Sequence, residues 1–148
     1  MRGYTTSSVF PDVNVWLALT VDRHVHHQVA YDWFDDLDKG VRMFFCRFTQ
    51  LGLLRLLSTA AVMGDDAMTQ ASAWSTYDRW LMDDRVEFMQ ESSTLEIRFR
   101  MTTRLRHPAP KDWADSYLAA FAETAGMTLA TFDRALAKKV KASMLLSE

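Results

Sequence analysis

Short apolar runs, each too brief for a helix, recur along the chain with helical stretches between them, and this alternation limits the fold more than any other feature. The runs cover 9–13, 41–48, 86–89 and 128–132, with a weaker fifth at 143–146 after a lysine cluster. They lack the strict polar alternation of a strand with one wet face. Such runs suit strands buried on both sides, as in a parallel sheet covered by helices. The intervening stretches 25–37, 51–57, 69–82, 95–105, 113–125 and 134–140 carry apolar residues at helical spacing, for example Val29, Trp33, Phe34 and Leu37. The string β-α-α-β-α-α-β-α-α-β-α, one helix more than these six stretches, predicts an α/β sandwich. Its length of 148 residues suits one domain over 1–148, and 49% apolar residues suffice for a core.

Several classes are excluded by composition. The 5 glycines and 3 prolines are too few for a collagen-like or low-complexity chain. The net charge of −2 gives no overall nucleic-acid signature, so any such contact must come from a local patch. A single cysteine, Cys46, rules out an internal disulfide and a cysteine zinc knuckle, and its apolar setting reads as a small buried residue. No segment approaches the ~20 apolar residues of a membrane span. The first eight residues lack a signal-peptide core, so a cytoplasmic location without membrane association is expected.

The chemistry is carried by where three aspartates fall. In open parallel sheets, sites form beyond the carboxyl ends of the strands. Asp12 ends the first run and Asp133 the fourth. Either could simply cap the helix that follows. Asp115 heads a stripe of Leu118, Ala119 and Ala122, with Ser116, Ala120 and Glu123 on the other side, and Asp112 is the expected helix cap. A carboxylate heading such a stripe turns toward the sheet, where a charge needs a partner or a metal.

At these residues the chain resembles the PIN-domain ribonucleases, and within them the VapC-type toxins of bacterial toxin–antitoxin pairs. The stretch from Phe10 to Leu19 resembles the family's first motif, continued by His24 to Trp33. Phe48 to Leu57 resembles the second, Trp113 to Ala120 the third, and Leu129 to Leu136 the fourth, in the family's order over roughly residues 9 to 140. The resemblance implies a PIN-like three-layer α/β/α sandwich around a mainly parallel sheet of four or five strands. It also implies a metal-dependent endoribonuclease acting as a toxin. Asp12, Asp115 and Asp133 then serve as both catalytic residues and ligands of Mg²⁺ or Mn²⁺, hard ions that carboxylates suit better than zinc. RNA is the implied substrate, with an antitoxin protein and a second copy of the chain as partners.

Asn14, Gln50 and Thr131 are expected beside the cluster. Thr131 lies two residues before Asp133, on the same strand face. Gln50 stands where many members have glutamate, which lowers the cluster from four formal negative charges to three and makes a second metal harder to hold. With the helix starting at Leu51, Gln50 is placed at the second strand's carboxyl end. Its presence supports an alternative: a catalytically weakened scaffold that binds RNA or a partner protein without cleavage. A third reading, a plain α/β interaction protein, requires all three aspartates to be helix caps.

Between Ile97 and Lys111 there is no acid, while Arg98, Arg100, Arg104, Arg106 and Lys111 gather there. This stretch is the expected RNA track, since such affinity rests largely on phosphate contacts. The alternative is a solvated helix face. Lys138, Lys139 and Lys141 read as cations at a helix C-terminus. His24, His26 and His27 read as structural or surface residues, because no cysteine or further histidine joins them. Trp74, Tyr77 and Trp80 are the suspected dimer face.

Overall fold

The computed structural model describes residues 7–147. Five strands, β1 (Ser8–Pro11), β2 (Arg42–Phe45), β3 (Val86–Phe88), β4 (Thr128–Thr131) and β5 (Ser143–Leu145), form one parallel sheet in the order β3-β2-β1-β4-β5. The weak fifth run is therefore a strand. β1 is central, pairing Val9 with Met43 on one side and with Thr128 on the other. The chain builds outward from β1 to β3, then returns to add β4 and β5. The order reverses between β1 and β4, and the carboxyl ends of those two strands flank the crevice this creates.

Both faces of the sheet are covered, which explains why the runs do not alternate between apolar and polar residues. Val9, Met43, Phe45 and Ala130 face one core; Phe10, Phe44 and Leu129 face the other. The first core is closed by α1 (Val13–Thr20), α2 (His27–Asp36), α3 (Arg47–Leu57), α4 (Ala60–Met63) and α5 (Gln70–Leu81). The second lies under α6 (Leu95–Thr102), α7 (Asp112–Ala125) and α8 (Arg134–Lys139). The architecture is the expected three-layer α/β/α sandwich.

The structure departs from the sequence reading where a strand meets a helix. β2 stops at Phe45 and α3 starts at Arg47, so Phe48 and Gln50 are helical. The cause is local. Cys46 is extended, and its backbone N–H donates to Thr49 Oγ1 at 2.9 Å, one half of a reciprocal cap that starts the helix early. α4 and the 3₁₀ turn after it (Gly64–Asp66) had no sequence counterpart; Gly64 adopts φ +60°, which favours glycine. α6 ends at Thr102 rather than near 105. Among the described residues no helix is long and apolar enough to cross a membrane.

α1 and α3 cross closely at Gly52. A Cβ built there would lie 2.8 Å from Val13 Cγ2 and 3.0 Å from Cγ1. Valine is stiff at χ1 and cannot swing clear. Gly52→Ala should therefore cost about 1–3 kcal/mol of stability through overpacking. Chemical denaturation measures this, and an unchanged midpoint would mean that α3 can slide.

Candidate active site

Asp12 follows β1 and caps α1, its Oδ1 accepting from Val13 N–H at 2.6 Å. Its own N–H donates to Ala130 O on β4 at 2.9 Å, which fixes it at the switch point. Thr131 Oγ1 donates to Asp12 Oδ2 at 3.0 Å and accepts from Asp133 N–H at 3.0 Å. One hydroxyl thus links the ends of β1 and β4. Asp133 caps α8, its Oδ1 accepting from Ala135 N–H (2.8 Å) and Leu136 N–H (3.2 Å).

Asp115 reaches the same end from the first turn of α7. Burial pushes the Asp12 carboxyl above its ordinary range; the bonds from Thr131 and Val13 oppose this, and the charges of Asp115 and Asp133 add to it. Asp115 is also raised, by burial and then by Asp133, while Lys139 pulls it down. Asp12 therefore feels both other carboxylates, and Asp115 feels that of Asp133. Exposure grades from buried Asp12 through half-buried Asp115 to exposed Asp133, so the cluster opens to solvent.

Among the described residues, no three His, Cys, Asp or Glu side chains are already gathered closely enough to hold an ion. The donor chemistry nevertheless fits a hard divalent cation: carboxylate oxygens only, one of them buried, under mutual repulsion that a cation relieves.

The other expected residues divide. Thr131 is fully buried against Asp12. Asn14 is exposed on the first turn of α1 and takes no part in the Thr131–Asp12 link. Gln50 is buried, but as a residue of α3 rather than at a strand end, and its Oε1 accepts from Arg47 Nη1 at 2.6 Å. Arg47 also stacks over Phe88, 4.6 Å from the ring centroid. The cation that a glutamate at position 50 would meet is already in place.

Of the basic stretch, Arg98 pairs with Glu123 at 3.0 Å and Arg100 with Glu96 at 2.9 Å. Arg104, Arg106 and Lys111 are exposed and, among the described residues, form no ion pair. The expected cap of α7 shifts as well. Lys111 takes the cap position, and Asp112 instead accepts from Lys139 at 2.7 Å and from Ser116 at 3.1 Å. Ser116 and Ala120, expected on the outer side, are buried, because α7 is covered by α6 on one flank and α8 on the other.

The sequence marked Lys139 only as a cation at a helix C-terminus; the structure sets it against Asp112 and near enough to Asp115 to lower that carboxyl's pKa. α8 is so short that its last residue lies back over the start of α7, and the only sequence signal was the six-residue spacing from Asp133. The suspected dimer face also changes. Tyr77 is buried, and Trp80 packs on Trp16 and donates to Thr20 Oγ1 at 2.8 Å. Of the three aromatics only Trp74 is exposed. Among the histidines, His26 stacks on Phe132 at 4.6 Å and His27 Nδ1 lies 2.7 Å from Ala18 O.

Residues 9–142 match the family model described as PIN domain. The chain is 42% identical over 128 residues to ribonuclease VapC41 of Mycobacterium tuberculosis, covering 84% of this chain and 88% of that protein. Its fold is similar to the crystal structure of VapC20, a sarcin–ricin-loop-cleaving toxin of the same organism. The TM-score is 0.63 at 15% identity, over 88% of this chain and 93% of that one. VapBC2 of Rickettsia felis, crystallised with a promoter DNA fragment, is similar with a TM-score of 0.62 at 13% identity, over 93% of this chain and 96% of that one.

Proposed function

Because the chain belongs to the PIN-domain family, we propose that it is a metal-dependent endoribonuclease acting as the cytoplasmic toxin of a toxin–antitoxin pair. The observation that carries this reading is the Thr131 hydroxyl, which binds Asp12 Oδ2 and the Asp133 N–H at 3.0 Å each and so joins two acids at the switch point, with Asp115 of α7 beside them. Asp12, Asp115 and Asp133 would hold Mg²⁺ or Mn²⁺. When bound, such an ion lowers the pKa of water and offsets charge building on the scissile phosphate.

The protein's own groups do the rest. Thr131 holds the Asp12 carboxylate in one orientation through its hydroxyl. Asp133 has Oδ1 engaged at the helix cap, so Oδ2 is the oxygen left to face the ion. Lys139, beside Asp112 and Asp115, offsets negative charge where the backbone of the RNA must approach three acids. Arg104, Arg106 and Lys111 supply phosphate contacts next to α7, and Arg98 and Arg100 would add to them by exchanging their carboxylate partners. Asn14, on the first turn of α1, would orient water near Asp12. An antitoxin that blocks the acidic end and a second copy of the chain complete the proposed set of partners.

Gln50 favours a second reading, an RNA- or protein-binding scaffold without cleavage, since its oxygen is occupied by Arg47. Incubating the purified protein with single-stranded RNA in Mn²⁺, in Mg²⁺ and in EDTA separates the two. Cleavage is expected with either metal, none in EDTA, and none with Asp115→Asn. Cleavage that persists in EDTA would overturn the metal role. RNA binding without cleavage in both metals would establish the scaffold.

A further inference from the structure

The segment 103–111, between α6 and α7, is neither helix nor strand. Pro108 and Pro110 stiffen it, and a cleft of about 370 Å³ separates it from the start of α7. That volume lies within the ~300–1,000 Å³ of ordinary ligand sites. Leu105, Pro108, Pro110 and Trp113 wall the cleft, with His107 and the Lys139-paired Asp112 also on its lining. Asp115 shares the first turn of α7 with the lining residue Asp112, which puts the cleft and the carboxylate cluster at the same end of that helix.

Trp113 is 59% exposed. It is nevertheless braced, with Phe99 meeting its ring edge-on at 6.1 Å, and Phe99 packs on the second core. The result is a large aromatic ring with one edge contact and more than half of its surface bare. Arg104, Arg106 and Lys111 alternate along the chain with the residues that line the cleft, are exposed, and have no carboxylate partner among the described residues. An apolar cleft with an exposed indole, and unpaired cations on the same segment, suits one ligand chemistry: an unpaired nucleobase with its flanking phosphates. A duplex keeps its bases stacked and cannot offer one. An acidic peptide would satisfy the cations, but it would then run into the like charges of Asp115 and Asp133.

We propose that this cleft is a base-binding subsite that takes one unstacked base of single-stranded RNA against Trp113, with the adjoining phosphates on Arg104, Arg106 and Lys111. The proposal rests on the ribonuclease reading above and adds to it a residue, Trp113, that seats one base of the bound strand.

The test measures binding by fluorescence anisotropy in EDTA, where the proposed chemistry is silent. The probes are a short fluorescein-labelled oligoadenylate and its duplex with oligouridylate. Trp113→Ala should weaken oligoadenylate binding by roughly 5- to 150-fold, the worth of one stacked base, and leave duplex binding unchanged. Trp113→Phe, which still presents a ring, should retain most of the affinity. Undiminished oligoadenylate binding by Trp113→Ala overturns the subsite, as does an equal loss on duplex. So does an acidic amphipathic peptide whose binding needs Trp113 while RNA binding does not. Cleavage in Mn²⁺ keeps the two claims apart. If the wild type cleaves and Trp113→Ala binds normally, only the subsite falls; if the wild type neither binds nor cleaves RNA, the ribonuclease reading falls with it.

Discussion

Asp12→Asn is expected to reduce RNA cleavage by roughly 10²- to 10⁴-fold, the several kcal/mol that a metal-held phosphate represents, without destabilising the metal-free protein at neutral pH. The two halves have one cause. Burial and the neighbouring carboxylates raise the Asp12 pKa in the folded chain above its ordinary 3.8. The folded state therefore binds that proton more tightly than the unfolded state does. The stability this confers is fully present below pH about 3.8 and is lost as pH rises through the raised folded value. Asparagine carries no charge to be penalised, caps a helix as well as aspartate does, and can donate to Thr131 Oγ1. Melting both proteins in EDTA from pH 4 to 8 should show Asp12→Asn gaining on wild type as pH rises. Mn²⁺ should then raise the wild-type melting temperature and leave the variant's in place. A gap that is flat across pH, or cleavage that survives the substitution, would remove Asp12 from the centre of the site.

Phe45→Ala is expected to cost about 3–5 kcal/mol, a large share of the ~5–15 kcal/mol by which domains are usually stable. Phe45 is fully buried. It stacks on Trp16 with ring centroids 3.9 Å apart and meets Tyr77 edge-on at 4.9 Å. Removing it opens a cavity between α1, β2 and α5. It also loosens Trp16, whose indole N–H is already buried without a partner. Phe45→Leu, closer in volume, should cost much less. Urea unfolding followed by tryptophan fluorescence measures both. Equal midpoints for the Ala and Leu variants would show that the cavity collapses and that the stacking matters little.

The parts of this fold that could be read from sequence are those fixed by local rules. Strands buried on both faces show no alternation of apolar and polar residues, so 9–13 and 128–132 announced themselves, and Asp12 and Asp133 could be placed at their ends by counting. Thr131 followed from the two-residue repeat of a strand. Gln50 was misplaced because apolar continuity through Phe48 hides a helix start. The Cys46–Thr49 cap that ends the strand depends on a hydrogen bond from a residue type rarely read as a cap. The contacts of Lys139 and Arg47 were missed for a different reason. Each acts through a residue that tertiary structure brings to it: Asp112 lies 27 positions from Lys139, and Phe88 is supplied by β3. Arg98 and Arg100 looked free in a stretch without acids because Glu123 and Glu96 lie outside its limits.

The Thr131–Asp12 hydrogen bond joins residues 119 apart. A ribosome adds about 5–20 residues per second, so the first acid of the site waits several seconds for the hydroxyl that orients it. The central strand waits as long for its β4 neighbour. No nascent chain shorter than residue 131 can complete this crevice, whatever the rest of its fold has done. Synthesis itself therefore delays the site, and a chain cut short by a premature stop or by proteolysis before β4 is released without one.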